Sequence, residues 1–313
     1  MNHFTSVNDV PDLSALLARC RSVKQNPLGT LNLGVGKTLG CIFFNPSLRT
    51  RLSTQRAAYN LGLSVIVMNI GAEGWKLEFE DGTVMNDDKA EHIKDAVAVM
   101  GQYCDVLGIR AFANLKDRDA DYQEAILKAF KQYSGVPIIS LESATRHPCQ
   151  SLADLITIEQ HKPSQVPTVL LTWAPHPKAL PQAVGNSFAE WTLAAGYNLR
   201  IANPAGYDLN PEFTRGAEIF HDAKSAYEGV DFVYAKNWSS YQSYGEVLNQ
   251  EMEWRVDEQK MALTENAGFM HCLPVRRNMV VTDAVIDSER SLVVEQAANR
   301  VVAAQAVLEA ILR

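Results

Sequence analysis

Ser47-Leu48-Arg49-Thr50-Arg51 is the densest cluster of groups in the chain that could hold an anion. It follows an apolar run and the turn dipeptide Asn45-Pro46, so Ser47 stands where a helix N-cap belongs. The first-turn amides of Leu48, Arg49 and Thr50 would then lack intrahelical acceptors and face any anion at the positive end of the helix dipole. Ser47 and Thr50 add hydroxyls, while Arg49 and Arg51 add fixed charge and forked donors suited to phosphate oxygens. The same residues also fit an ordinary capped helix with solvated arginines, and spacing alone leaves both readings open. A second phosphate candidate, Gly34-Val35-Gly36-Lys37-Thr38, resembles the end of a Walker A loop. That loop needs a glycine where Leu31 stands, and it follows a strand rather than preceding one. A nucleotide-hydrolysing reading is therefore set aside.

His147 and His271 have no carboxylate or second histidine at ligand spacing, so no metal and no other cofactor is expected. The five cysteines, Cys20, Cys41, Cys104, Cys149 and Cys272, are scattered and form no C-x-x-C pair, a pattern of reduced thiols in a cytoplasmic protein. The first residues lack a basic segment followed by an apolar one, so no secretory signal is expected. No apolar run approaches the roughly 18 residues of a spanning helix. A net charge of −7 argues against general binding to nucleic acid or anionic membranes, so any arginines for an anionic ligand must be concentrated locally.

Those arginines need a frame. A chain of 313 residues suits two domains, and 47% apolar with 21% charged residues is ordinary for a globular protein. Short apolar runs at 39–44, 64–68, 105–109 and 137–140 alternate with helical stretches at 48–61, 91–103 and 119–133. A second series of strands follows at 168–172, 199–202, 231–234 and 268–272. The alternation predicts an α/β fold of two domains, each a parallel sheet with helices on both faces. Residues 1–145 form the first and 146–290 the second. A helix near 151–160 bridges them, and a C-terminal helix over 291–313 packs back on the first. Val294, Ala297, Val301, Ala304, Leu308 and Ile311 mark that helix's expected apolar stripe. The segment Gly71–Ala90, charged and without period, is read as a functional loop.

Four segments in order resemble the aspartate/ornithine carbamoyltransferase superfamily. Ser47–Arg51 resembles its Ser-x-Arg-Thr-Arg carbamoyl-phosphate motif, and His147-Pro148-Cys149-Gln150 its His-Pro-x-Gln element. His271-Cys272-Leu273-Pro274 resembles its His-Cys-Leu-Pro element, and Glu295–Arg300 the start of its C-terminal helix. The resemblance implies that Ser47, Leu48, Arg49 and Thr50 hold the phosphate of carbamoyl phosphate. Arg110 bridges phosphate and carbonyl oxygen, His147 donates to that oxygen, and Gln150 orients the carbamoyl NH2. Arg300 and the backbone around Cys272-Leu273 complete the grip, and Cys272 is assigned substrate contact rather than nucleophilic attack. By the same resemblance the enzyme is a homotrimer with active sites shared between subunits, placed in arginine biosynthesis.

The Ser-Met-Gly element of ornithine-specific members is absent, and Lys236 stands in the corresponding stretch. A lysine repels a free α-ammonium and favours a carboxylate, which points to an acylated ornithine. The strings Phe-Asn-Pro-Ser-Leu-Arg-Thr-Arg and His-Cys-Leu-Pro-Val-Arg-Arg-Asn are similar to those of the N-acylornithine branch. That branch implies Glu142, His176, Lys236, Pro274 and Arg276 as acceptor contacts. It also implies Trp75 as the residue reaching into a neighbouring subunit's site. Acetyl-type members carry a glutamate late in the loop and succinyl-type members a proline; this chain has Ala90. Loss of the glutamate removes repulsion toward a succinyl carboxylate, so succinyl is favoured over acetyl. Ornithine itself, putrescine, aspartate and a non-catalytic carbamoyl-phosphate-binding paralogue stand behind these two.

Overall fold

The structure is a computed structural model, and it describes residues 1–70, 72–248 and 251–313. Gly71, the first residue of the expected loop, lies outside them. The chain forms two compact units. One comprises residues 1–113, 122–144 and 301–313, the other residues 114–121 and 145–300. Among the described residues no helix is long and apolar enough to cross a membrane.

In the first unit α1 (Leu13–Gln25) precedes β1 (Thr38–Phe43), α2 (Arg49–Asn60) and β2 (Ser64–Asn69). Next come β3 (Lys76–Glu78), β4 (Lys89–His92), α3 (Ile93–Tyr103) and β5 (Val106–Arg110). Past α4 (Arg118–Tyr122), which belongs to the second unit except for Tyr122, α5 (Ala125–Tyr133) leads to β6 (Ile138–Glu142). The four-stranded sheet is parallel in the order β2-β1-β5-β6. Connections leave β1 in opposite directions, so the crevice past the carboxyl ends of β1 and β5 is a topological switch point, the usual ligand position in such sheets. The loop at Asn45–Leu48 and the residues after Arg110 open onto it. Asn45 Oδ1 accepts from the Phe112 amide at 2.7 Å, tying one loop to the other.

The second unit repeats the plan. Here α6 (Pro148–His161), β7 (Thr168–Trp173), α7 (Ala183–Ala194), β8 (Asn198–Ala202) and α8 (Pro211–Thr214) come first. They are followed by β9 (Glu218–Phe220), β10 (Phe232–Lys236), α9 (Glu258–Met261), β11 (Gly268–Met270) and α10 (Asp283–Ile286). The parallel sheet runs β11-β10-β7-β8-β9, which puts the switch point at the ends of β7 and β10. Every residue of β10 is buried and only Thr168 of β7 is not, as expected for strands covered on both faces. Trp173 and Trp238 anchor the two loops, since the Trp173 indole donates to the Trp238 carbonyl at 2.9 Å. The Trp238 indole in turn donates to the Tyr207 carbonyl at 2.7 Å.

The expected parallel α/β architecture with a C-terminal helix is present, and three local expectations need correction. The segment taken as an irregular loop contains a short parallel ladder of β3 and β4. The helix expected over 119–133 is broken at Glu124, whose φ is 53° and whose carboxylate accepts from Ser143 Oγ at 2.6 Å. The C-terminal helix α11 (Val293–Leu312) does not bury the predicted apolar stripe at its start. Val294 is 76% exposed, whereas Gln296, Asn299 and Arg300 are buried. Hydrogen bonding to other buried polar groups, not apolar burial, sets that face.

Helix α3 passes close to the end of α5. A Cβ on Gly101 would stand 1.8 Å from the Ser134 carbonyl oxygen. Gly101→Ala gains helix propensity but overpacks this crossing, so a net destabilisation of about 1–3 kcal/mol is expected. The check is a urea midpoint that falls without a change of slope.

Candidate active site

The first cluster sits at the switch point of the first unit. Leu48 is the residue before α2, and its carbonyl accepts the Leu52 amide at 3.1 Å. Ser47 nonetheless supplies the capping oxygen, accepting from the Thr50 amide at 3.2 Å. The α2 dipole thus ends on this turn. Thr50 is buried and receives a hydrogen bond from Arg110 Nη1 at 3.0 Å. That same nitrogen lies 2.6 Å from Glu142 Oε2, and the guanidinium covers the Phe112 ring at 4.4 Å. Arg110 is therefore locked by an ion pair, a hydroxyl and an aromatic face, not left as a solvated charge. Glu142 is 7% exposed, and its carboxylate compensates Arg110. Arg51 is engaged elsewhere, with its Nη2 donating to Asn69 Oδ1 at 2.6 Å and its guanidinium stacked over Phe43. The expectation that Arg51 supplies charge to an anion is corrected accordingly, while Arg49 stays half-buried beside the turn.

The β3–β4 segment of this unit carries Trp75 and Ala90, both exposed. The Trp75 indole donates to Glu91 at 2.8 Å. Lys89, next to Ala90, is committed to Glu78 at 3.0 Å. The Glu78 carboxyl is held down at about 2 by the amide of Glu80 and by Lys89.

In the second unit, Pro148 opens α6, with His147 at the capping position. His147 and Gln150 are 3% and 1% exposed, so neither side chain is solvated. Arg300 Nη1 donates to Gln150 Oε1. Gln150 Nε2 donates to Asp154 Oδ1 at 2.7 Å, and Gln296 Nε2 donates to the same oxygen at 2.7 Å. Gln296 Oε1 accepts the His271 amide at 2.9 Å, which ties the chain leaving β11 to the start of α11. Beyond it, Leu273 has φ 53°, and its amide donates to His271 Nδ1 at 2.9 Å. A leucine in the left-handed region is strained, as residues held at functional sites often are. Cys272 is part-exposed, whereas burial pushes the thiols of Cys20, Cys41 and Cys149 up to about 12. Burial also raises the Asp154 carboxyl to about 7 and lifts the Tyr234 phenol well above its ordinary value.

The remaining acceptor candidates stand at the second switch point. Lys236 ends β10 and is buried, its ammonium donating to the Asn237 carbonyl at 3.0 Å. Asn237 Nδ2 reaches back to the Ala174 carbonyl after β7 at 2.7 Å. Arg276 Nε donates to His176 Nε2 at 3.0 Å, so the ring proton sits on Nδ1, facing the Lys178 carbonyl at 2.8 Å. Burial, then Arg276, Lys236 and Lys178, depress the His176 pKa, and the imidazole stays neutral. His176 thus orients Arg276, while Lys236 and Arg276 carry the charge. Pro274 is exposed on the same loop as Arg276.

Sequence reasoning missed Asp154, Gln296 and Asn69. The first two had a signal: each lies one helical turn from a motif residue, Gln150 or Arg300, on the same face. Among the described residues no group of His, Cys, Asp and Glu is placed to hold a metal ion.

Residues 2–160 match the family model of the aspartate/ornithine carbamoyltransferase carbamoyl-P binding domain, and residues 181–311 that of the Asp/Orn binding domain. The chain is similar to the N-succinylornithine carbamoyltransferase of Bacteroides thetaiotaomicron, 54% identical over 99% of this chain and 98% of that protein. The N-acetylornithine carbamoyltransferase of Xylella fastidiosa is 37% identical over 99% and 98%. The crystal structure of acetylornithine transcarbamylase complexed with acetylcitrulline superposes with a TM-score of 0.94 at 36% identity, covering 99% of each chain. A variant of N-acetyl-L-ornithine transcarbamylase, with one glutamate replaced by alanine, was crystallised with carbamyl phosphate and N-succinyl-L-norvaline. It gives a TM-score of 0.93 at 37% identity over 99% and 100% of the chains, and the corresponding valine and proline variants carry the same two ligands.

Proposed function

Because this chain belongs to the aspartate/ornithine carbamoyltransferase family, we propose that it carbamoylates the side-chain amine of N2-succinyl-L-ornithine. The products are N2-succinyl-L-citrulline and phosphate, a step of arginine biosynthesis. The observation that carries the acceptor is that buried Lys236 and Arg276 both bring positive charge to His176 at the second switch point. Fixed positive charge there suits a carboxylate and repels an α-ammonium. The 54% identity to a protein named for the succinylated acceptor supports the same acyl group. Ala90, placed by resemblance where acetyl-type members have glutamate, supports it further, since glutamate-free variants of such an enzyme accommodate N-succinyl-L-norvaline.

In this reading the neutral δ-amine attacks the carbonyl carbon of carbamoyl phosphate. A C–N bond forms, the C–O bond to phosphate breaks, and the amine gives up one proton to the solution or the departing phosphate. Ser47, Leu48, Arg49 and Thr50 hold the phosphate oxygens. Arg110 and His147 stabilise the oxygen that becomes anionic in the tetrahedral intermediate. Gln150, Arg300 and the Cys272–Leu273 backbone grip the carbamoyl group and hold its carbonyl face toward the attacking amine. Glu142, His176, Lys236, Pro274 and Arg276 face the acylated ornithine, Glu142 while it balances Arg110.

The assembly we propose is a homotrimer in the cytoplasm. Exposed Trp75, Val84 and Met85 on the β3–β4 segment, and exposed Leu48 before α2 with Leu52 and Tyr59 on it, leave apolar surface that neighbouring subunits would cover. The test is phosphate release from carbamoyl phosphate with N-succinylornithine, N-acetylornithine, ornithine, putrescine and aspartate in turn. The highest kcat/KM is expected with N-succinylornithine. Equal or faster turnover of free ornithine would refute the acylated acceptor.

A further inference from the structure

We infer that Asp154 is a positioning residue for carbamoyl transfer, its Oδ1 setting the amide orientation of both Gln150 and Gln296. The inference rests on the carbamoyl-transfer reading above and on Gln150 gripping the carbamoyl group. An amide can be turned over with little change of shape, so something must decide which end faces the ligand. Here three partners have only one role each. Arg300 and the His271 amide can only donate, and Asp154 Oδ1 accepts from both glutamine NH2 groups at 2.7 Å. The oxygens of Gln150 and Gln296 are thereby forced toward Arg300 and the His271 amide. A turned Gln150 would present its NH2 to the Arg300 guanidinium and to the carbamoyl NH2, donor against donor. A proton on the carboxyl would reside on Oδ2, so Oδ1 accepts in either ionisation state and the orientation survives titration. One oxygen thus sets the Gln150 side chain and, through Gln296, the backbone that leads into Cys272 and Leu273.

Burial has placed this carboxyl at about 7, the glutamine donors, Arg300 and the Tyr234 phenol of β10 only partly opposing it. A raised pKa means that its contribution to stability is complete below the ordinary carboxylate range and is lost as pH rises through 7. Neutral replacements are therefore expected to melt no lower than the wild type at pH 8.

Asp154→Leu and Asp154→Asn separate orientation from charge, because asparagine keeps an acceptor oxygen for the two glutamines and leucine does not. With carbamoyl phosphate and N-succinylornithine at pH 8, Asp154→Leu is expected to lose about 100-fold in kcat with little change in the acceptor KM. Asp154→Asn should stay within a few-fold of wild type. In a Gln150→Ala background the leucine substitution should add little further loss, since it acts through Gln150. The inference is overturned by a leucine variant that keeps its kcat or no longer folds. It is equally overturned by an asparagine variant as impaired as leucine, or by losses that multiply in the double variant. Failure of the wild type itself to release phosphate would instead refute the carbamoyl-transfer reading.

Discussion

Arg110→Lys is expected to lower kcat about 100- to 1,000-fold, the usual consequence of losing one donor to a developing oxyanion, without unfolding the protein. Lysine keeps a cation opposite Glu142, so the buried ion pair survives. It cannot keep the planar guanidinium that stacks on Phe112 at 4.4 Å, where one nitrogen serves Thr50 and Glu142 and the other donors remain for the ligand. Arg110→Met goes further. It strands Glu142 as an unpaired buried carboxylate, and a loss of stability of about 3–5 kcal/mol accompanies the loss of activity. Steady-state kinetics and thermal melting of the two variants distinguish the chemical role from the structural one. A lysine variant with near wild-type kcat would remove Arg110 from the catalytic set.

The second large effect is on acceptor choice. Ala90→Glu is expected to lower the ratio of kcat/KM for N-succinylornithine over N-acetylornithine by roughly 100-fold or more, since like charges set side by side cost several kcal/mol. Ala90 is the exposed residue of β4, and its neighbouring cation, Lys89, is already bound to Glu78. No spare positive charge on its own strand is therefore available to neutralise the new carboxylate. Exposure also means salt screening, so the change in ratio should shrink as ionic strength rises. An unchanged ratio would show that the acyl group lies elsewhere.

The parallel α/β plan was legible because β-branched and apolar runs alternate with amphipathic stretches, and burial on both sheet faces leaves that signature plainly in β7 and β10. The capped turn was legible too, since a serine after Asn-Pro and before a helical stretch is a usual capping residue, and Ser47 accepts from the Thr50 amide. What did not show was the pairing of side chains. Arg49 and Arg51 look equivalent in sequence, yet Arg51 is drawn to Asn69 and Phe43 because alternate positions on a helix point to different faces. The start of α11 reads as an apolar helix, whereas Gln296, Asn299 and Arg300 are the residues it buries. Periodicity sees hydrophobicity, and a buried polar network has none to offer. Asp154 is the extreme case, an acid inside a run of buried residues whose partners, Gln150, Gln296, Arg300 and Tyr234, only the fold brings together.

In the proposed reaction a carbamoyl group passes to the δ-nitrogen of an acylated ornithine. The most direct measurement follows carbonyl-13C carbamoyl phosphate by NMR in the presence of N-succinylornithine. The expected result is transfer of label into a single ureido resonance, that of N2-succinylcitrulline, with one phosphate released for each. Label that appears only as hydrolysis products, or that enters free ornithine in preference to the acylated acceptor, would refute transfer to an acylated ornithine.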